Sequence, residues 1–258
     1  MALDNPNFLR RLNELCSRSD RVWITAMLTG LGFALLAAYP FAFTPSGKFW
    51  AYAGLMIRAG LYLWAGEALR GRGGETIVRL FRLGLVAGTL ELLVDWGLIH
   101  WVRNGRLVYL TENDVVLLGS PIWMPVAWAC VIVELGYPAI RLYGILRRKV
   151  SQTAAVVSAT LVVAAAAGLT IGFYEYFAYR AGWWRYERAN AMLGNYCALY
   201  IPLGEFFMFL PVLPIAEAAL KDDQRPIESA LLPGTAFAAA IAVGYAAAYL
   251  LLEFGRRV

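Results

Sequence analysis

The sequence predicts an all-α protein: a polytopic bundle of about seven transmembrane helices with a weak internal repeat of three-span units. Three observations carry that prediction. Hydrophobic residues fill 60% of the 258 positions and charged residues only 16%, where a soluble chain holds about 25% charged. Apolar runs of roughly 20 residues, the length that crosses a bilayer as a helix, recur along the chain. The Arg clusters behind the net charge of +5 fall between those runs. That is the pattern of topology signals and of contacts with anionic lipid headgroups, not of nucleic-acid binding.

Residues 1–21 place Phe8, Leu9, Leu12 and Leu15 on one helical face, among Arg10, Arg11, Glu14 and Arg18. This reads either as an amphipathic helix in the membrane interface or as a solvated tail. No signal-peptide cleavage pattern follows it. The transmembrane domain is expected over 22–253, with 254–258 as a tail and repeat-like halves over about 50–145 and 153–253. Its first span covers 22–43. A Pro-Ser-Gly turn leads to the second, 50–69, which the breaker Arg70-Gly-Arg-Gly-Gly ends. The third, 78–102, holds Glu91, Asp95 and His100, and a polar stretch over 103–118 then leaves the core. The fourth, 119–145, has Pro121, Pro125 and Pro138 in or near it and closes on Arg147, Arg148 and Lys149. The fifth, sixth and seventh cover 153–179, 196–220 and 231–253.

Most loop cations, including Arg10, Arg11, Arg18, Arg21, Arg70, Arg72, Arg147, Arg148, Lys149, Lys221 and Arg225, fall on the side of the N-terminus. The positive-inside rule then puts the N-terminus in the cytoplasm and the C-terminus on the opposite side.

An ionised carboxylate at the bilayer centre costs at least ~2.5–3.5 kcal/mol. Yet Glu67, Glu91, Asp95, Glu134, Glu175, Glu205 and Glu217 lie within or at the ends of apolar runs. They are expected to point inward. For Glu67, Glu134 and Glu217 a structural role is favoured, with Arg58, Arg79, Arg82 and Arg141 near enough in sequence to the spans to neutralise acids. Glu91, Asp95, Glu175 and Glu205 are the candidate catalytic residues. Glu91 and Asp95 are four apart, hence a turn apart on one face, and two carboxyls that close in a dry setting share one proton. Glu205 follows Pro202 in the first turn of its span, where the helix N-terminus favours a carboxylate.

Other chemistries are set aside on residue grounds. The single histidine, His100, excludes a His-rich metal site, and Cys16, Cys130 and Cys197 lack metal or disulfide spacing. Cys130 and Cys197 read as buried small hydrophobes. The seventh span has no lysine, which excludes a retinal Schiff base of the microbial-opsin kind. No phosphate-binding glycine loop occurs, nor does an Asp-rich magnesium motif. No cofactor and no metal are expected.

Two stretches share a layout. Asp95-Trp-Gly-Leu-Ile-His-Trp leads through Gly105 and Tyr109 to Ser120-Pro-Ile-Trp-Met-Pro. Glu175-Tyr-Phe-Ala-Tyr-Arg-Ala-Gly-Trp-Trp-Arg-Tyr leads to Tyr200-Ile-Pro-Leu-Gly-Glu-Phe-Phe. The spacing from Asp95 to Pro121 nearly equals that from Glu175 to Pro202. The second stretch resembles the heterodimeric or fused membrane lycopene cyclases and the related carotenoid hydratases. The cyclases carry an acid, a Gly-x-Trp-x-Tyr-like link, then Pro-[Leu/Ile]-Glu-Glu-x-x-Phe, once per three-span repeat, and the hydratases show a similar link and Pro-rich span. The resemblance covers about forty-five residues and maps Glu175, Trp184, Tyr186, Pro202 and Glu205 onto family positions. Gly204 departs from it, standing where the first Glu of the Glu-Glu pair would be, and Pro121-Ile-Trp-Met has no acid at all.

The resemblance implies redox-neutral terpenoid or carotenoid chemistry: cyclisation or isomerisation started by a proton, with hydration as the alternative. A buried carboxylic acid supplies the proton, aromatic faces stabilise the cation, and a second carboxylate removes a proton. Glu205 or Glu175 is expected to be the acid, and the Glu91/Asp95 pair the base or its electrostatic partner. Trp96, Trp123, Trp128, Trp183, Trp184, Tyr186, Pro202 and Phe206 are the candidate substrate-binding residues. Trp and Tyr also gather at membrane interfaces without binding anything. The expected partners are the lipid bilayer and a hydrophobic isoprenoid, with no nucleic acid; homo- and hetero-oligomers are both left open. From another class, a proton-coupled transporter or lipophile-binding protein would use the same acids. An apolar, aromatic-lined cavity opening to lipid favours the enzyme, and a polar path to both surfaces favours transport.

Overall fold

The computed structural model describes residues 6–69, 74–110, 112, 114–220 and 228–254. Among them are eight α-helices and six short strands: α1 (Pro6–Ala38), α2 (Pro45–Ala68), α3 (Gly74–His100), β1 (Arg106–Tyr109), β2 (Val116–Leu117), β3 (Ser120–Pro121), α4 (Met124–Leu146), α5 (Gln152–Ala181), β4 (Trp184–Glu187), β5 (Met192–Leu193), β6 (Cys197–Ala198), α6 (Tyr200–Phe209), α7 (Val212–Ala219) and α8 (Glu228–Leu252). The predominantly helical architecture agrees with the sequence reading. The breaker Arg70-Gly-Arg-Gly-Gly (residues 70–73 of it), Lys221, Arg225 and most of the expected tail lie outside the described residues.

Four helical stretches are long and apolar enough to cross a membrane: Arg18–Ala38, Met124–Leu146, Gln152–Ala181 and Ser229–Leu252. The pair α6–α7 is apolar enough only when taken together and is bent by 52°, as a broken span or a re-entrant loop is. Pro211 and Pro214 sit at that bend, where proline lacks the N–H that a continuous helix needs. Several helices thus have what an integral membrane protein requires. Of the seven expected spans, apolarity alone supports four among the described residues, or five if the bent pair is one span. Helices α2 and α3 have the length, about 36 and 40 Å at 1.5 Å per residue, but carry more polar side chains.

Helix boundaries follow local chemistry. Thr44 caps α2 by accepting from Gly47 N (3.2 Å), with Pro45 in its first turn. Ser151 caps α5 through Ala154 N (3.3 Å). Gly182 ends α5 in the left-handed region at φ 73°, a conformation that costs glycine nothing. The first helix differs in extent from the expected span 22–43: its backbone runs continuously from Pro6 to Ala38. The start of the fourth span differs too, because residues 119–123 form the β3 turn and α4 opens only at Met124.

Helix contacts use small residues, as membrane bundles do. A Cβ on Gly84 of α3 would lie 2.5 Å from the Ala129 Cα of α4. One on Gly204 of α6 would lie 2.3 Å from the Tyr245 ring of α8, and one on Gly244 would lie 2.8 Å from the Gly204 carbonyl. This α6–α8 approach requires a residue without a side chain at position 204. A glutamate there has no room while Tyr245 occupies its place. Gly204→Ala is expected to cost about 1–3 kcal/mol, the range for overpacking, and to push Tyr245 aside. Thermal melting of the purified variant checks this, and an unchanged midpoint would contradict the contact.

The links that read as polar loops are short strands covering one end of the bundle. β1 pairs antiparallel with β4, setting Leu107 opposite Tyr186 and Tyr109 opposite Trp184. β2 pairs with β3, and β5 with β6. The order helix, strand, two-stranded hairpin, helix occurs twice, in α3–α4 and in α5–α6. Helix ends tie into this cap. Lys48 of α2 donates to the Leu110 carbonyl (2.7 Å) and pairs with Asp114 (2.6 Å). The Asn190 amide donates to Glu253 Oε2 at the end of α8 (2.8 Å), and the Tyr200 hydroxyl donates to the Gly105 carbonyl (2.8 Å).

Candidate functional site: four carboxyls on an apolar cavity

Beneath the cap lies a cavity of about 860 Å³, within the range of small-molecule sites, about 300–1,000 Å³. Glu91 and Asp95 of α3, Glu175 of α5 and Glu205 of α6 all line it. These residues keep only 1%, 3%, 4% and 1% of their surface, so none faces lipid. All four predicted catalytic acids therefore meet at one place, although they come from three helices. Each interacts electrostatically with at least one other: Glu91 with Asp95 and Glu205, and Glu175 with Asp95 and Glu205.

Their hydrogen bonds differ. Asp95 Oδ2 accepts from the hydroxyls of Tyr109 and of Ser120 (3.0 Å for Ser120), and the Glu91 carboxyl lies alongside. Two hydroxyl donors on one oxygen suit a carboxylate that must accept. The Glu91 carboxyl is buried beside Asp95 and turned to the Trp128 indole nitrogen. Glu175 Oε2 accepts from Trp184 Nε1 (2.8 Å), and the Tyr186 hydroxyl turns to the same carboxyl. Glu205 Oε1 accepts from the Tyr245 hydroxyl (3.1 Å). The strand cap thus supplies Tyr109, Tyr186 and Trp184 to acids on the helices below.

Burial pushes the Tyr109 and Tyr186 hydroxyls well above the ordinary tyrosine range, with the neighbouring Asp95 and Glu175 carboxyls adding to the effect. Both therefore stay protonated donors as pH rises. In the unfolded chain tyrosine ionises near about pH 10, so above that the folded state holds more protons and stability must fall. Melting temperature is expected to decline as pH climbs through that range. The decline should be shallower in Tyr109→Phe/Tyr186→Phe, and equal slopes would contradict the assignment.

Of the predicted aromatics, Trp128, Trp183, Trp184 and Tyr186 line the cavity. Trp123, Trp96, Pro202 and Phe206 do not. Trp123 backs the lining instead, with its ring 4.4 Å from Trp183 and 5.5 Å from Tyr52. Trp96 is next to Asp95 in sequence, hence about 100° round the helix, and packs on His100 and Trp101. Phe206 is likewise turned from Glu205, and together with the Pro202 carbonyl it meets Gly168 of α5.

The remaining intramembrane acids behave structurally where their partners are seen. Glu134 accepts from Arg58 Nη1 (2.7 Å) and from the Tyr174 hydroxyl (2.6 Å). Arg141 makes two bonds of 3.0 Å to Asp20. Cys130 and Cys197 are buried free thiols, as expected.

Sequence reasoning missed Tyr245 and Ser120, and gave Tyr109 no role. Each is an isolated hydroxyl in an apolar or loop context, with no spacing that points to a carboxyl. At the cavity mouth stand Leu28 and Leu31 of α1 and Leu169 and Phe173 of α5, all exposed on apolar helices.

A search of curated proteins and a search of solved structures each give no match. A family model described as a domain of unknown function, DUF6989, matches residues 92–252. The match runs from the middle of α3 to the end of α8 and takes in Asp95, Glu175 and Glu205, and the chain belongs to that family.

Proposed function

We propose that the protein is an integral membrane enzyme that moves a proton onto and off a carbon–carbon double bond of an isoprenoid lipid, as a cyclase or isomerase. The observation that carries this reading is the convergence of four buried carboxyls on one apolar, aromatic-lined cavity whose mouth is flanked by lipid-facing side chains. Helices α2 and α3 are read as the sixth and seventh crossings. Their polar residues Arg58, Glu91 and Asp95 face the cavity, which removes the cost of showing them to lipid. Seven crossings put the strand cap on the side away from the Arg-rich loops, and the N-terminus in the cytoplasm.

The chemistry balances without a redox partner. A neutral carboxyl, Glu205 or Glu175, gives its proton to one alkene carbon, leaving a carbocation at the other. A second alkene of the same chain attacks that cation and forms a ring bond. The new cation loses a proton to a carboxylate, for which Asp95 is the best-provided acceptor, with Tyr109 and Ser120 orienting it. Substrate and product have the same composition. The indole faces of Trp183 and Trp184 supply cation–π attraction without a nucleophile.

A repeat supports the link to the membrane lycopene cyclases. One constant sequence offset carries Leu107 to Trp184, Tyr109 to Tyr186, Ser120 to Cys197, Pro125 to Pro202 and Trp128 to Glu205. The repeated unit is then a pair of helices with its strand link, α3–α4 and α5–α6, smaller than three-span halves. Pro125, which opens α4, is the counterpart of Pro202, while Pro121 belongs to β3.

Mass spectrometry of lipids copurified with the protein, followed by turnover in deuterated water, tests the reading. The expected product has its substrate's composition and gains deuterium. A product heavier by one water identifies a hydratase. A substrate recovered without deuterium or rearrangement removes the proposal.

A further inference from the structure

The cavity has a second polar feature that the proton chemistry does not use. Arg58 of α2 lines it. The electrostatic partners of Arg58 are Glu134, Cys130, Tyr174 and Tyr62, and none of the four cavity carboxyls is among them. Arg58 thus has its partners elsewhere than the four carboxyls, and apolar side chains such as Leu55, Leu98 and Val131 line the same cavity. Arg58 is held from behind. Its Nη1 donates to Glu134 (2.7 Å). Its Nε is buried without a partner against Gly30 of α1, where a Cβ would stand 2.8 Å from it. Of the Arg58 side chain, 18% stays accessible, and Nη2 is the guanidinium nitrogen left to offer its N–H groups to the cavity.

We infer that the part of the cavity at Arg58 is an acceptor-binding subsite, and that the isoprenoid ligand carries a neutral oxygen group (hydroxyl, carbonyl or ether) seated on Arg58 with its alkene chain reaching the carboxyls. The charge balance selects a neutral group. Glu134 already offsets the guanidinium, so an added anion would be buried uncompensated. The carboxylate that the mechanism needs as proton acceptor in the same cavity repels a phosphate or carboxylate further. A pure hydrocarbon would leave the Nη2 donors unsatisfied in an apolar space, a costly state for a buried polar group. Anchoring one end also fixes which double bond meets the acids, so Arg58 acts in positioning and takes no proton itself.

The inference rests on the isoprenoid reading above, and equilibrium binding separates the two. The probes are geranylgeraniol, the hydrocarbon of the same chain and geranylgeranyl diphosphate. Each is titrated against protein in lipid nanodiscs and followed by tryptophan fluorescence. The wild type is expected to bind the alcohol about tenfold more tightly than the hydrocarbon, as a hydrogen bond to a charged donor gives, and the diphosphate least. Arg58→Met/Glu134→Gln removes both charges together and keeps an acceptor for Tyr174. It should bind alcohol and hydrocarbon equally, with hydrocarbon affinity unchanged. Equal affinities in the wild type, tightest binding of the diphosphate, or a preference that survives in the double variant would overturn the subsite. If neither the alcohol nor the hydrocarbon binds, the isoprenoid reading falls with it.

Discussion

Turnover of the copurified lipid is expected to fall about 10²–10⁴-fold in Glu205→Gln, the range that general acid–base catalysis contributes. Glutamine keeps the size of the side chain and still accepts from the Tyr245 hydroxyl, the one hydrogen bond seen on Glu205, so the fold and the cavity should persist. What is lost is a proton that can leave. Tyr245→Phe removes only the hydroxyl that orients the carboxyl, and its loss should be about tenfold or less, since a single neutral hydrogen bond contributes roughly 0.5–1.5 kcal/mol. Product formed per mole of protein, measured beside the melting midpoint of each variant, separates chemistry from folding. Glu205→Gln turning over within a few-fold of the wild type would remove Glu205 from the mechanism and leave Glu175 as the acid.

The largest effect on stability is expected at Glu134. It is buried on α4, with Arg58 reaching it from α2 and Tyr174 from α5, so one carboxylate ties three helices. Glu134→Ala leaves the guanidinium buried without its counter-charge and should cost about 3–5 kcal/mol, as breaking one side of a buried pair does. The double variant Arg58→Met/Glu134→Gln removes both charges and should recover most of that loss. Thermal or proteolytic unfolding of the three proteins in one detergent gives the comparison. A double variant as unstable as the single one would show that packing at these positions, not the unpaired charge, governs the loss.

The helices were legible in the sequence because a bilayer permits so few alternatives. Apolar runs of span length, Pro202 in the first turn of α6 and Gly182 at the end of α5 are local signals, and α2, α3, α4, α5 and α8 fall within about five residues of their expected bounds, whereas α1 starts sixteen residues early and the expected sixth span breaks into α6 and α7. The links were less legible. The β1–β4 pairing joins residues as far as 81 positions apart (Arg106 opposite Glu187), and nothing local in Arg-Leu-Val-Tyr or Trp-Arg-Tyr-Glu announces it. The same limit explains the aromatics. Composition singles out Trp96 and Phe206 as readily as Trp184 and Tyr186, and only the rotation of each helix in the bundle separates those that face the cavity.

The sequence by itself determined that this chain is a helical membrane protein and that its acids sit where water is scarce, since both follow from composition along a line. Convergence of Glu91, Asp95, Glu175 and Glu205 on one cavity depended on how α3, α5 and α6 rotate and approach, and that is set by contacts such as Gly204 on Tyr245 and Gly84 on Ala129. The tertiary structure likewise sorted the acids. Glu134 has its guanidinium, whereas the other four have hydroxyl or indole donors, one another, and space for a ligand. Charge pairing across helices is a property of three-dimensional distance, and no one-dimensional pattern encodes it.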